Sequence, residues 1–199
     1  MGTRTSRTAY PIRGAKQGGA IGTWATWLTM AVLGTALSGL AVSAVYLYWG
    51  QEQWPPEGFE EPAVGLGALA LALAIGATAL TFASVRVLRS GAELTAGHLI
   101  FGGLLLGGGS LAALVMDLVT APWHWDEHVY SSLFWVLVGN AALFVAVAVL
   151  MSAAVLVQRI AGVLDAGRHL ELEITVVFWA FAVATVVTAF GLVHLLPHR

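Results

Sequence analysis

Residues 131–157 read SSLFWVLVGNAALFVAVAVLMSAAVLV, a run without a charged side chain. A helix needs about 20 apolar residues to cross the hydrocarbon core of a bilayer. This run is long enough to span, and it lacks the charged face that would keep an amphipathic helix at the surface of a soluble domain. Four further stretches have the same character: Ala20 to Trp49, Ala63 to Leu88, Thr95 to Val119 and Glu173 to Leu196. The chain has 199 residues, 58% hydrophobic and 10% charged, and a mean hydropathy of +0.82. Five spans with short loops use nearly all of it. The expectation is an all-α integral membrane bundle of five transmembrane helices. A basic segment at residues 1–19 precedes a single transmembrane domain at 20–199, and no room is left for a sizeable soluble domain.

Charge sets the expected orientation, because cytoplasmic loops carry the excess of Lys and Arg. Arg4, Arg7, Arg13 and Lys16 precede span one, Arg86 and Arg89 separate spans two and three, and Arg159 and Arg168 separate four and five. Eight of the nine basic residues thus share one side, with Arg199 the exception. The opposite loops carry Glu52, Glu57, Glu60 and Glu61, then Asp126 and Glu127. The amino terminus is therefore expected inside and the carboxyl terminus outside. Tyr46, Tyr48, Trp49, Trp54, Trp123, Trp125 and Tyr130 gather on the outer side, as an interfacial aromatic belt does. All six prolines lie outside the spans or at their edges, so proline kinks are not expected. Gly103/Gly107 and Thr35/Gly39 offer small residues four apart, the spacing that lets helix backbones approach in lipid. Span one is too long for the apolar region of a removed signal and is expected to stay.

The same composition removes several classes of chemistry. A net charge of −2 provides no cationic surface for a phosphate backbone, so nucleic acid is not an expected partner. With no cysteine, disulfides, thiolate catalysis and Cys-ligated metals are excluded. Ionisable residues at mid-membrane are costly and mark pathways, and here they are nearly absent. Asp117, Arg86 and His194 lie near span ends, where each is expected to snorkel to an interface. A haem b site needs two histidines on facing helices at matching depth. His98 and His169 fall on one side and His124, His128, His194 and His198 on the other, so no such pair forms. His124 and His128 with Asp126 or Glu127 could ligate a metal, but only a helix there would put both histidines on one face. No Ser/His/Asp set, Walker loop or HExxH motif is present. The acidic loop around Glu57 reads either as a solvated connection stiffened by proline or as a patch that steers a basic electron carrier.

Several short motifs follow one another in order. Gly22-Thr-Trp24 opens a first span ending in Tyr46-Leu-Tyr48. Trp54-Pro55-Pro56 follows in the loop, and a basic turn comes at Arg89-Ser-Gly91. The third span ends in Asp117, Ser131-Ser-Leu-Phe134 opens a span with Gly139 within it, and Glu173 precedes Phe178-Trp179-Ala180-Phe181. In this order the motifs resemble the subunit III family of haem-copper cytochrome c oxidases in its five-helix bacterial form, which usually has Glu where Asp117 stands. Five polar positions of the family fall on apolar residues here: Met30 replaces a carboxylate, Ala141 and Phe144 a His pair, and Ala180 and Val183 a terminal His and Asp. If the scaffold is kept, those five residues are expected to face other helices rather than lipid.

The resemblance implies a non-catalytic structural subunit of an aerobic respiratory terminal oxidase. It implies no catalytic, cofactor-binding or metal residues in this chain; haem and copper are expected in partner subunits. Catalytic subunit I and membrane lipid are the implied partners, bound phospholipid is an expected ligand, and the plasma (inner) membrane of a prokaryote is the implied location. The competing expectation is a stand-alone small-solute channel or transporter built from an oligomeric bundle. A solute path needs intramembrane polarity, which these spans lack.

Overall fold

The computed structural model describes residues 14–55, 57, 60, 62–164 and 169–196, with side chains from residue 21 onward. The described residues form five α-helices and no strand: α1 (Gly14–Gly50), α2 (Val64–Arg89), α3 (Glu93–Val119), α4 (Val129–Ile160) and α5 (Leu170–His194). All five are long and apolar enough to cross a membrane, so the chain is a multi-pass membrane protein. The helices match the expected spans closely, but α1 begins earlier than read and takes in part of the basic segment.

Their ends have local causes. At α4 the His128 Nδ1 accepts from the Tyr130 N–H at 3.1 Å and Ser131 Oγ accepts from the His128 N–H at 3.0 Å, a reciprocal cap. That cap starts the helix two residues ahead of the expected span. α2 and α4 both stop at a glycine with positive φ, Gly91 at 85° and Gly162 at 70°. In each case two N–H groups return to the last turn: Gly91 to Leu88 and Ala92 to Val87, then Gly162 to Arg159 and Val163 to Gln158. This is the Schellman arrangement, which any residue with a Cβ would strain. Arg86, Arg89 and Arg159 occupy these last turns, where a cation favours the negative helix end.

Packing follows stripes in which inward positions alternate by three and four residues. On α2 they are Gly67, Ala70, Ala74, Ala77, Thr81, Ser84 and Leu88; on α5 they are Leu172, Thr175, Trp179, Ala182, Val186 and Ala189. Such spacing averages 3.5 residues and keeps one seam facing the neighbour. Small residues dominate the α2–α3 seam. A Cβ on Gly103 would lie 2.9 Å from Thr81 Oγ1 and 3.3 Å from the Ala77 carbonyl oxygen. Ser110 Oγ donates across the seam to the Ala70 carbonyl at 2.8 Å. Close backbone approach and interhelical hydrogen bonds hold helices together where lipid removes the hydrophobic drive.

Trp179 is the largest side chain near the middle of the bundle and is fully buried. Gly107 clears room for it, since a Cβ there would come within 2.5 Å of the indole ring. The indole N–H donates to Ser152 Oγ at 2.8 Å, joining α5 to α4. α1 is different. It packs on α5 and only thinly on α4, through Thr26, Met30, Ala44 and Tyr48, and leaves Trp24, Trp27, Val32, Val42 and Tyr46 exposed.

Candidate functional site

The end carrying the α1–α2 and α3–α4 loops is an aromatic plug. Trp54 is 2% exposed and meets Tyr48 and Tyr130 edge to face, at centroid distances of 5.7 and 5.0 Å. Trp123 continues the chain of rings to Tyr130 at 5.7 Å and Phe134 at 4.9 Å. Its indole N–H donates to the Glu60 carbonyl at 3.0 Å, which pins the first loop to the second. Edge-to-face pairs contribute about 0.5–1.5 kcal/mol each beyond their burial, so both loops are held on the bundle.

Beneath this plug lies Asp117, in the last turn of α3 and only 3% exposed. It continues the inward stripe Gly103, Gly107, Ser110 and Leu114, so helical phase turns its carboxylate away from lipid and into the bundle. This corrects the expectation that Asp117 snorkels. The stripe itself was the signal: positions 103, 107, 110, 114 and 117 share one face. Asp117 lines two neighbouring cavities. One, of about 170 Å³, opens among Glu60, Pro62, Ala63, Thr120, Ala121 and Pro122. The other is small and lies between Asp117, Gly67, Leu114 and His194. His194 is half-buried, with its ring 5.2 Å from that of Phe190. Arg86 is exposed and stacks 4.5 Å over Phe82, one turn earlier on α2.

The motif positions divide between several places. Trp54, Pro55 and Ser131 belong to the aromatic end with Asp117; Pro55 and His194 line a further cavity beside Trp54. Pro56 lies outside the described residues. Trp179 is central. Glu173 sits at the opposite end, where Arg89 and His169 both reach its Oε1, and a second ion pair joins Arg159 to Glu93 at 3.1 Å. Gly22 faces Leu170 across α1 and α5, with 3.4 Å from a would-be Cβ to Leu170 Cδ2, whereas Gly139 borders open space. Trp24 is 77% exposed and joins no site.

Of the five apolar positions expected to face other helices, Met30 and Ala141 are buried and Phe144 and Val183 half-buried. Phe144 meets Phe181 edge to face at 4.9 Å. Ala180 is exposed. Trp179 takes the inward position on α5, and the next residue, a turn of about 100° away, must point outward. The histidine loop does not adopt the helix that would place both histidines on one face. Residues 124–127 form a turn rather than a helix, His128 caps α4, and the Glu127 carboxylate accepts from the His124 backbone N–H at 2.7 Å. Among the described residues no group of three or more His, Asp or Glu is placed to hold a metal ion.

Compared with known proteins, the chain matches no family model and no curated protein. The likeness to subunit III therefore rests on the ordered motifs alone.

Proposed function

We propose that this protein is a non-catalytic, subunit III-like component of an aerobic respiratory haem-copper terminal oxidase in the plasma membrane of a prokaryote. In that role it stabilises the catalytic subunit and holds phospholipid against it. The observation that carries the reading is the uncovered face of α1. Across its membrane-crossing window 6% of residues are buried, against 44% in α4. The uncovered surface is not merely greasy: Thr35, Ser38, Gly39 and Ser43 are exposed on it. Their hydroxyls turn back to carbonyls four residues earlier at 2.8–2.9 Å, and a Cβ on Gly34 or Gly39 would meet nothing within 4 Å. Small and hydroxyl residues are what membrane helices present to other helices. Inside the bundle, buried hydroxyls such as Thr81, Ser152 and Thr185 are likewise bonded to carbonyls of their own helices. That arrangement suits a packed scaffold better than a solute path.

Phospholipid has a natural seat in the groove of about 520 Å³ between α3 and α4 at the Arg-rich end. Leu94, Phe101, Leu156 and Ile160 offer an acyl chain apolar walls, and His98 and the Arg159–Glu93 ion pair line the same groove as polar partners for a headgroup.

The test is mild solubilisation of the native assembly, followed by an absorption spectrum and identification of its polypeptides. Stoichiometric haem carried by a large co-purifying subunit is the expected result. A colourless homo-oligomer would overturn the reading in favour of a channel or transporter. A reporter fused after Arg199 should read as external and one in the loop between Ala161 and His169 as cytoplasmic; the reverse would overturn the orientation.

A further inference from the structure

The groove between α3 and α4 carries both signs of charge at one end. Glu93 opens α3, and Arg159 stands in the last turn of α4. Arg159 Nη2 reaches Glu93 Oε2 at 3.1 Å, and its Nε donates to the Glu93 backbone carbonyl at 3.4 Å. The side chains are 18% and 44% exposed, Arg159 and Glu93 respectively. A pair this open contributes little to stability, yet it uses only part of what each partner offers. Among the described residues the guanidinium keeps both N–H groups of Nη1, and the carboxylate keeps Oε1, for further partners. His98, in the second turn of α3 and exposed, adds an imidazole to the same groove.

Beyond this polar end the walls are apolar. Leu94, His98, Phe101 and Leu105 recur at steps of three and four residues and so share one edge of α3, on which the three apolar side chains are all exposed. Phe101 lies about 12 Å along the helix from Glu93. Leu156 and Ile160 line the groove from α4. Gly97 keeps the floor open, since the nearest atom to a Cβ there would be Arg159 Cγ at 4.0 Å. The groove of about 520 Å³ thus joins an apolar trough to a polar end where the ion pair has no net charge. Headgroups differ in how they meet that end. Any phosphate can take N–H groups from Arg159 and His98. Phosphatidylglycerol then brings a negative charge beside Glu93 and returns no cation to it. A choline headgroup brings a cation with no N–H to donate. Ethanolamine supplies a phosphate together with a primary ammonium, which, like that of lysine, has three N–H donors for a carboxylate.

We propose that the α3–α4 groove selects phosphatidylethanolamine, with the phosphate against Arg159 and His98, the ammonium on Glu93 and an acyl chain along Phe101 and Leu156. This rests on the reading of the groove as a phospholipid seat and adds the headgroup. The Glu93–Arg159 pair is the recognition element, because neither charge alone separates a zwitterion from an anion.

The test uses the full chain in mild detergent, incubated with dioleoyl lipids that differ only in headgroup, and reads retained lipid by native mass spectrometry. Wild type should retain one phosphatidylethanolamine about threefold better than phosphatidylglycerol or phosphatidylcholine, the scale of one exposed ion pair. Glu93→Gln removes the partner of the ammonium and releases Arg159, so the preference should turn to phosphatidylglycerol. Gly97→Leu fills the groove and should lower retention of all three lipids. A wild type that prefers phosphatidylglycerol or phosphatidylcholine, or holds the three equally, would overturn the headgroup assignment, and so would an unchanged preference in Glu93→Gln. Retention untouched by Gly97→Leu would overturn the phospholipid seat itself. The oxidase reading is decided separately, by haem in the native assembly. If Glu93→Gln does not fold, the wild-type preference and Gly97→Leu decide by the same criteria.

Discussion

α1 and α5 are neighbours of similar apolarity, yet they belong to the bundle in different ways. α5 carries a stripe of inward residues from Leu172 to Ala189 with Trp179 fixed at its centre. α1 touches the bundle along a thin line, and Trp24, Trp27 and Tyr46 are exposed beside it. Apolar content tells a helix that it can live in lipid. Packing depends instead on where small residues fall relative to large side chains, as Gly107 does for Trp179 and Gly102 for Leu80. α1 also has small residues, but Gly34, Thr35, Ser38, Gly39 and Ser43 lie where the described residues supply no counterpart.

The contrast can be broken most severely at Trp179. Truncation to Ala should leave a void among α3, α4 and α5 and cost about 3–5 kcal/mol, read as a lowered unfolding midpoint in detergent. If Trp179→Ala unfolds like wild type, the central node is not a node. Gly107→Ala tests the same contact from the other side. A methyl at 2.5 Å from a rigid, buried ring should cost about 1–3 kcal/mol through overpacking, whereas Gly108→Ala, one residue along in open space, should be nearly neutral. Equal effects at 107 and 108 would refute the assigned phase of α3. Ser152→Ala orphans the Trp179 N–H, and by analogy with other interhelical bonds in lipid should cost about 1 kcal/mol. The smallest effect on the isolated chain is expected on α1. Gly34→Leu should leave its unfolding unchanged, because nothing among the described residues lies near, yet reduce haem retained with the native assembly. Retention of haem at the wild-type level would free that face from any partner.

The sequence announced the five helices because spans and loops differ in charge, and bilayer thickness fixes a minimum length. It was less informative about direction. Asp117 could be placed in the last turn of its span from the string alone, but whether that turn faced lipid or the bundle depended on the stripe started at Gly103. Ala180 fails for the converse reason: a motif aligned with a family transfers residue identity, while rotation about the helix axis is set by Trp179 beside it. The α4 boundary shifted because histidine is an uncommon cap, and only the geometry at His128 shows it accepting from the Tyr130 N–H. The Trp123 bond to the Glu60 carbonyl could not have been read at all, since it joins loops that are distant in the chain.

The placement of α1 on α5 also bears on how the chain is made. α1 is synthesised first, but the helix it packs on most is synthesised last. At ribosomal speeds of about 5–20 residues per second, α1 must wait on the order of ten seconds in the bilayer while α2, α3 and α4 emerge. The compact turn at Gly91 lets α2 and α3 close on each other during that interval, so the tightest seam forms before the first helix has an intrachain companion. A newly inserted α1 is therefore open to capture by a helix of another polypeptide, and assembly during translation becomes as natural a route as assembly after it.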